Sequence, residues 1–211
     1  MTANKNNIIR LSRYKNALNR LKNMGFVKVF SDNLADAVDV TPSQVRKDFS
    51  LFDIPGNKRG GYKVDELIER LNKILGKDEI QRVIIVGTGN IGTALLKYKG
   101  FAKEGIKITA CFDIDSARFN RETNPPILPL DEMEAYIKEN KINLGIIAVP
   151  DIAAQHVLDI MIANGIKGVL NFSPIKLNAP AGIVINNVNI ELELENVIYF
   201  VNAQGKVKVG V

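Results

Sequence analysis

Apolar residues near the start of the chain recur at the spacing of an α-helix, three or four positions apart, with polar and basic residues between them. The repeating positions are Ile8, Leu11, Tyr14, Leu18 and Leu21. This pattern predicts an amphipathic helix with an apolar side toward a core and a basic outer side. We expect the helix to end at Met24-Gly25.

Two more helices are predicted from their start signals. Ser31 is expected to cap a short helix that ends at Val38. Thr41 as N-cap and Pro42 at the first helical position then predict a helix to about Phe52. The pair therefore has the order helix, turn, helix, which suits a protein that reads the major groove of DNA.

Polar and basic side chains lead the second of these helices. Gln can bond adenine with two hydrogen bonds, Arg and Lys can bond guanine, and Ser can contact a base or a phosphate. The segment 55–62, PGNKRGGY, predicts a glycine-rich basic hairpin that would form a wing along the DNA backbone. The candidate DNA-binding residues are Arg10, Arg13, Ser43, Gln44, Arg46, Lys47, Lys58 and Arg59. The alternative is a small helical packing domain with a solvated basic face.

The rest of the chain alternates short β-branched runs with helical segments, after a predicted amphipathic helix at 64–75. Strands are predicted at 82–86, 106–112, 144–149 and 169–172, and helices at 91–99, 131–140 and 153–164. This rhythm predicts a mostly parallel sheet with helices on both faces. Ligands of such sheets bind beyond the carboxyl ends of the strands.

The first of these strands runs into Gly87, Gly89 and Gly92, which have the spacing G-x-G-x-x-G. The first glycine permits a tight turn, the second lets backbone approach a pyrophosphate, and the third lets the helix pack close to the strand. N–H groups at the start of the helix would face the phosphate.

An acidic residue, Asp113, ends the next strand, at the distance expected for a carboxylate that binds ribose hydroxyls. A carboxylate there repels a 2′-phosphate, so the sequence favours NAD(H) over NADP(H). We expect four strand ends to line one crevice, beside a proline-fixed loop at 124–129. The candidate cofactor-binding residues are Gly87, Thr88, Gly89, Asn90, Ile91, Gly92, Asp113, Ala148, Val149, Pro150, Asn171, Phe172 and Ser173.

Charge is distributed unevenly along the 211 residues, whose net charge is +5. Residues 1–63 hold 12 Lys/Arg against 5 Asp/Glu, whereas the remainder is slightly acidic. A basic N-terminal third indicates a separate module with a polyanionic partner. No apolar run is long enough to span a bilayer and no signal peptide is evident, so no membrane partner is expected. The single cysteine, Cys111, lies in a predicted buried strand and indicates a cytoplasmic protein.

Catalytic chemistry has little support in the sequence. The one histidine, His156, lies in a predicted helix, and no metal-ligand spacing or paired nucleophile and base is found. The parts indicate a nucleotide sensor coupled to a DNA reader and no enzyme. Two alternatives remain open: an NAD-dependent oxidoreductase with a basic oligomerisation domain, and a protein that binds CoA or an adenylate.

The C-terminal segment fits either a strand or a helix, and we favour a helix from about Ile190 to Ala203, broken at Gly205. Its long apolar stripe has no obvious partner within the chain. An oligomer interface would cover it.

These motifs together resemble the redox-sensing transcriptional repressors of the Rex family over nearly the whole chain. The segments that carry the resemblance are RLSRYKNAL, TPSQVRKDFSLF, GNKRGGYKVDELI, VGTGNIGTALLKY, CFDID, IIAVPDIAAQ, GIKGVLNFSPIKLNAP and NVIYF. The resemblance implies a winged-helix domain, a Rossmann-like domain with NADH and NAD+ as ligands, and a homodimer that swaps its C-terminal helix. It implies repression at operator DNA that is relieved when NADH replaces NAD+. It also implies that Tyr98 faces the nicotinamide.

The predicted fold is therefore α/β. A mainly helical winged-helix domain at 1–77 precedes a Rossmann-like parallel-sheet domain at 78–188 and a swapped helix and tail at 189–211.

Two positions depart from the family pattern. Asn16 stands where members often have Arg, and Asn189 stands where they often have Asp. The resemblance implies that in other members these two residues form an ion pair in the DNA-competent state. Both charges are absent here, so the switch between the DNA-competent and released states must depend on other contacts. Because Asn189 also lacks a charge that would favour cationic NAD+, we expect discrimination to come mainly from NADH binding. Comparable affinities for NAD+ and NADH in titration calorimetry would contradict this.

Overall fold

The computed structural model describes residues 4–56 and 60–207, and they divide into two compact units, residues 1–80 and 81–211. The first unit is built from four helices and a small antiparallel sheet. Its elements are α1 (Lys5–Asn23), β1 (Lys28–Val29), α2 (Ser31–Val38), α3 (Pro42–Leu51), β2 (Tyr62–Lys63) and α4 (Val64–Ile74).

Helix starts in this unit follow from side-chain caps. Asn4 and Asn7 cap α1 reciprocally, each side chain accepting from the other's backbone N–H. Thr41 accepts from the backbone N–H of Gln44 at 3.1 Å, which confirms the predicted start of α3. The predicted cap of α2 is one residue off: Ser31 is the first helical residue, because Asn33 reaches back to the backbone N–H of Phe30.

The strand that holds Tyr62 pairs with Lys28–Val29, far upstream in the sequence. Residues 57–59 of the predicted basic hairpin lie outside the described residues, so the hairpin stays a prediction. The core of this unit lies between α1, α3 and α4 around Tyr14, Phe49 and Tyr62, whose rings meet edge to face.

The second unit is a six-stranded parallel sheet with the order β5-β4-β3-β6-β7-β8. Its elements are β3 (Gln81–Val86), α5 (Asn90–Leu96), α6 (Gly100–Lys103), β4 (Ile106–Asp113), β5 (Ile127–Pro129), α7 (Met133–Asn140), β6 (Leu144–Ile147), α8 (Asp151–Ala163), β7 (Gly168–Asn171), β8 (Val184–Asn187) and α9 (Ile190–Val207). The sheet confirms the predicted parallel α/β architecture.

Register brings the carboxyl ends of the central strands level. Val86 is paired with both Phe112 and Ile147, and Ile147 is paired with Asn171. One face of the sheet packs on α7 and α8 through residues such as Phe112 and Met161, while the other face packs on Leu95, Leu96 and Phe101. Burying each large side chain contributes about 1.5–3 kcal/mol. The loops that follow the strands therefore stand on a rigid base.

Several details differ from the sequence predictions. The proline-fixed loop contains a strand, β5, and β8 was also not predicted. The helix predicted at 91–99 ends at Leu96, and the strand predicted at 144–149 ends at Ile147. A 3-10 turn at Leu130–Glu132 precedes α7, so that helix starts two residues later than expected. Helix α9 continues past Gly205 to Val207.

Helix α9 carries its apolar side chains in solvent. The exposed fractions run from 51% at Leu192 to 68% at Tyr199. Asn189 caps the helix by accepting from the backbone N–H of Leu192 at 3.0 Å. Among the described residues, no helix is both long and apolar enough to cross a membrane.

Candidate nucleotide cavity and candidate DNA-reading helix

The turn between β3 and α5 depends on its glycines. Gly87 has φ +91°, and a side chain there would lie 2.5 Å from the carbonyl oxygen of Ala148. A side chain on Gly92 would collide with the carbonyl oxygen of Gly87, so this glycine sets the close approach of helix to strand. Nothing lies within 4 Å of the position a Gly89 side chain would take. The second glycine of the motif therefore faces open space, as backbone that meets a pyrophosphate requires.

Asp113 is fixed at the end of β4, next to this turn. One carboxylate oxygen accepts from the backbone N–H and the hydroxyl of Thr88 at 2.7 and 2.6 Å, and the other accepts from the backbone N–H of Asp115 at 3.0 Å. Burial alone would raise the pKa of Asp113, but these hydrogen bonds and the charge of Arg118 outweigh it and hold the pKa below its usual range. The side chain is therefore an anion of fixed orientation at neutral pH.

A cavity of about 290 Å³ lies beyond three of the strand ends. We call it the strand-end cavity. It is lined by Val86, Gly87, Gly89, Phe112, Asp113, Ile114, Asp115, Arg118, Leu130, Ala148, Val149, Pro150, Ala153 and Val157. A mostly apolar wall with one anchored anion and a glycine turn suits a nucleoside whose ring needs an apolar slot and whose ribose needs an acceptor.

The fourth strand end does not line this cavity, contrary to expectation. Asn171 is fully buried, and its amide is used within the protein, donating to Asn187, Ile175 and Ser173. The hydroxyl of Ser173 donates to the carbonyl of Val149 at 2.6 Å. Asn171 and Ser173 thus brace the neighbouring wall, and Phe172 packs in the sheet core. The strand ends are level, but the turn after β7 folds back on itself.

The remaining predicted cofactor residues lie around the turn and along α5. Thr88 is buried beneath Asp113, whereas Asn90 and Ile91 are exposed in the first turn of the helix. Tyr98, beyond the far end of α5, is 60% exposed and packs edge to face on Phe101. It does not line the strand-end cavity, so its predicted contact with a nicotinamide stays a prediction.

Arg118 is a cavity residue that the sequence analysis missed. Its guanidinium donates to the carbonyl of Thr88 at 2.5 Å and pairs with Asp115 at 3.1 Å. A basic residue five positions after the ribose-binding acid has no motif of its own. Only the turn at Ser116–Arg118 brings it back over the glycine loop.

Cys111 and His156 lie outside the cavity. Burial raises the pKa of the Cys111 thiol to about 12, which makes the thiol unreactive. His156 is exposed on α8. Within residues 4–56 and 60–207, no group of three His, Cys, Asp or Glu side chains is placed to hold a metal ion.

Helix α3 presents a polar, basic surface in the first unit. Ser43, Arg46 and Lys47 are exposed on it, and Arg46 donates to the hydroxyl of Ser43 at 3.3 Å. Arg13 is exposed on α1. Arg46 and Lys47 are adjacent exposed cations at the fifth and sixth positions of this capped, ten-residue helix, and a reading helix contacts base edges through exposed side chains of its N-terminal part.

Two other predicted DNA-binding residues, Arg10 and Gln44, are half-buried and donate hydrogen bonds to a buried carboxylate. The carboxylate of Asp48, 1% exposed, accepts from Arg10 at 2.6 and 2.7 Å, from Tyr14 at 2.8 Å and from Gln44 at 2.7 Å. Asn7 adds a fifth, longer bond at 3.4 Å. We call these five residues the Asp48 cluster. The expectation that Arg10 and Gln44 point freely outward was wrong, because a carboxylate buried between α1 and α3 recruits their donors.

The charge of Asp48 is stabilised by these donors. Burial by itself would raise its pKa, but hydrogen bonds from Arg10, Tyr14 and Gln44 outweigh burial and lower the pKa below the ordinary value. Two further predicted residues, Lys58 and Arg59, lie outside the described residues.

Family models match part of each unit. Residues 5–50 match the model described as a putative DNA-binding protein N-terminus, and residues 78–175 match the CoA binding domain.

Solved structures of similar proteins cover almost all of the chain. RSP, a Rex-family repressor, is 33% identical, and its complex with β-NAD+ and operator DNA superposes with a TM-score of 0.92 over 99% of this chain and 96% of that one. Its complex with β-NADH gives a TM-score of 0.83 over 99% and 98% of the two chains.

Proteins related in sequence point to the same family as these structures. Proteins described as the redox-sensing transcriptional repressor Rex are 40% identical in Desulforamulus reducens, over 89% of this chain and 90% of theirs, and 39% identical in Bacillus subtilis, over 90% and 88%. Identity at this level across nearly the whole length of both proteins shows the family. The chain belongs to the Rex family of redox-sensing transcriptional repressors.

Proposed function

We propose that this protein represses transcription by binding a pseudo-palindromic operator as a homodimer, and that NADH releases it. The proposal depends on two features that occur in one chain. One is an ionised Asp113 of fixed orientation beside an open glycine turn, and the other is a capped helix that exposes Arg46 and Lys47. The protein thereby reports the ratio of NADH to NAD+. It performs no catalysis of its own.

The coenzyme is held by the strand-end cavity. The turn at Gly87–Gly92 approaches the pyrophosphate, and the first N–H groups of α5 meet its charge. Asp113 accepts hydrogen bonds from the adenosine ribose, because its oxygens are already oriented by Thr88 and Asp115. The resident negative charge repels a 2′-phosphate, so NADH binds better than NADPH.

Operator DNA is held by the first unit. Arg46 and Lys47 meet base edges or phosphates in the major groove, and Arg13 adds a phosphate contact. We propose a further DNA contact for Lys58 and Arg59, which rests on the family resemblance alone.

The homodimer is supported by α9. An apolar helix with side chains half to two-thirds exposed is unusual in a monomer and marks a surface that a second copy covers. We propose that this helix is the element exchanged between the two copies. A groove of about 540 Å³ lined by apolar residues of β6, β7 and β8 is a second surface in the same unit that pairing would cover.

Coupling between ligand and DNA follows from two arrangements of the dimer. Two α3 helices bind adjacent half-sites only when they lie about one DNA turn apart, ~34–36 Å. NADH favours the arrangement that does not meet this spacing. To shift the populations from 1:99 to 99:1, NADH must bind the released form about 10⁴-fold more tightly than the other.

A second candidate function rests on the match of residues 78–175 to the CoA binding domain. Asp113 would accept the ribose of an adenylate equally well. The ribose of CoA, however, carries a 3′-phosphate, which the buried carboxylate would repel. Competition of CoA against NADH in titration calorimetry distinguishes a CoA-binding protein from an NADH-binding one. Displacement of NADH by equimolar CoA would favour CoA as the ligand.

The DNA end of the proposal is tested by selection from a random duplex pool. The protein should enrich a two-fold symmetric sequence. Arg46→Ala should lose affinity for that sequence while NADH affinity is unchanged, because α3 contributes nothing to the cavity. Lys138→Ala, which removes an exposed cation from α7, is the matched control and should leave both affinities unaltered. An unchanged gel shift with Arg46→Ala would refute the assignment of α3.

Turnover of NADH with a panel of carbonyl substrates would instead favour an oxidoreductase.

A further inference from the structure

The Asp48 cluster fixes the direction in which one amide faces. Gln44 lies in the first turn of α3, four residues before Asp48, and its side-chain nitrogen donates to the carboxylate at 2.7 Å. A carboxylate only accepts hydrogen bonds, so the amide must turn its nitrogen toward Asp48 and its oxygen away. The orientation of Gln44 is thus set by charge.

The amide oxygen reaches solvent. Gln44 is half-buried, yet among the described residues no buried side-chain oxygen lacks a partner, and no bond to this oxygen is found. The nitrogen carries two hydrogens, and Asp48 occupies one of them. The other, together with the outward oxygen, forms a donor and acceptor pair, which is the pattern that N7 and N6 of adenine complement in the major groove.

The position of the Asp48 carboxylate is itself fixed. Two nitrogens of Arg10 donate to its two oxygens, and the hydroxyl of Tyr14 donates to one of them, so the carboxylate cannot move with the Gln44 amide if that amide rotates. A glutamine on a free helix surface must lose rotamer freedom when it meets a base, whereas this one has lost it already.

We propose that Asp48 is a positioning residue that holds the Gln44 amide as a preformed reader of one adenine in each operator half-site. The inference rests on the proposed function, since it names how that function selects sequence. Arg10, in turn, acts on DNA through Asp48.

The test compares base preferences from the random duplex pool for four proteins. Gln44→Ala should lose the preference for adenine at one symmetry-related position of each half-site, by about 5- to 100-fold, and keep the preferences elsewhere. Asp48→Ala should lose the preference at the same position. Tyr14→Phe is the matched control: it removes a bond to the carboxylate but leaves the bond to Gln44, and should select the wild-type sequence.

A second measurement does not depend on any variant folding. Nuclear magnetic resonance relaxation of the Gln44 side-chain amide in the free protein should give an order parameter near that of rigid backbone, about 0.85. A value below about 0.6 in the free wild-type protein would overturn the proposal. So would unchanged base preferences with Gln44→Ala, or wild-type selectivity in folded Asp48→Ala.

The two levels of failure are distinguishable. If the wild-type protein enriches no sequence at all, the proposed function fails. If it enriches an operator and the Gln44 and Asp48 variants select the same one, only this inference fails.

Discussion

Two aspartates, Asp48 and Asp113, each hold a negative charge in a nearly closed site, one in each unit. Both are surrounded by donors that stabilise the ionised form, and in both the pKa lies below its usual range despite burial. Their roles differ, since Asp48 joins two helices whereas Asp113 keeps one side of its site open to a ligand.

Asp113→Asn should weaken NADH binding by about tenfold or more, because it removes the charge and replaces one of two acceptor oxygens with a donor, which then faces the donors of Thr88 or the backbone N–H of Asp115. Discrimination against NADPH should shrink at the same time. Titration calorimetry measures both. Asp131→Asn, an exposed residue outside the cavity, is the control, and an equal loss of affinity in both variants would contradict the assignment.

Asp48 should make the stability of the first unit depend on pH. Because its folded pKa is lowered, its contribution is present above its unfolded pKa of about 3.9 and is lost as pH falls through the folded value. Asp48→Asn should therefore lower the free energy of unfolding by about 2 kcal/mol at pH 7 and by much less at pH 2.5. The figure at pH 7 is kept small because Arg10 is partly exposed and solvent screens its charge. Urea unfolding followed by circular dichroism measures the difference.

The control for that experiment is Asp36→Asn, an exposed position on α2. Its unfolding free energy should follow the wild-type protein at every pH. A constant cost of Asp48→Asn from pH 7 to pH 2.5 would show that the lost charge is not the cause.

At the scale of elements, α9 is the proposed contact with a second copy, because its apolar side chains are exposed. Leu194→Glu combined with Ile198→Lys places two charges on one side of it, at exposed positions where a Glu and a Lys four residues apart support the helix. The dimer should dissociate, and sedimentation velocity should report a monomer. Glu195→Gln on the same helix should leave the dimer intact, and a dimer that survives the double substitution would place the interface elsewhere.

Elements with local signals were predictable, and those that depend on distant partners were not. Thr41 and Pro42 are local signals for the start of α3. Strands β3 and β4 are rich in β-branched residues and end at or directly before predicted cofactor-binding residues. The short strands β2 and β8 exist only because a distant strand offers hydrogen bonds, so no local pattern announces them.

The same division holds within the candidate sites. Gly87 and Asp113 follow from the spacing of a motif, since each position has its own chemical requirement. Arg118 and the Asp48 cluster do not, because their contacts join residues 30 and 38 positions apart. The sequence shows that Arg10 and Gln44 are polar, and only packing shows that each donates to Asp48.

At the scale of the whole molecule, the proposed switch requires that NADH and operator DNA each affect the binding of the other. If NADH weakens operator binding, the operator must weaken NADH binding by the same factor. Asn16 and Asn189 carry no charges for an ion pair, and Asn189 instead caps α9, the proposed exchanged helix. The switch is therefore expected to depend on how the dimer holds α9.

The most direct test is the affinity of the dimer for its selected operator, measured by fluorescence anisotropy at fixed salt with no nucleotide, with saturating NAD+ and with saturating NADH. NADH should weaken operator binding by at least tenfold, while NAD+ should have a much smaller effect. Equal operator affinity with and without saturating NADH would contradict the proposed switch.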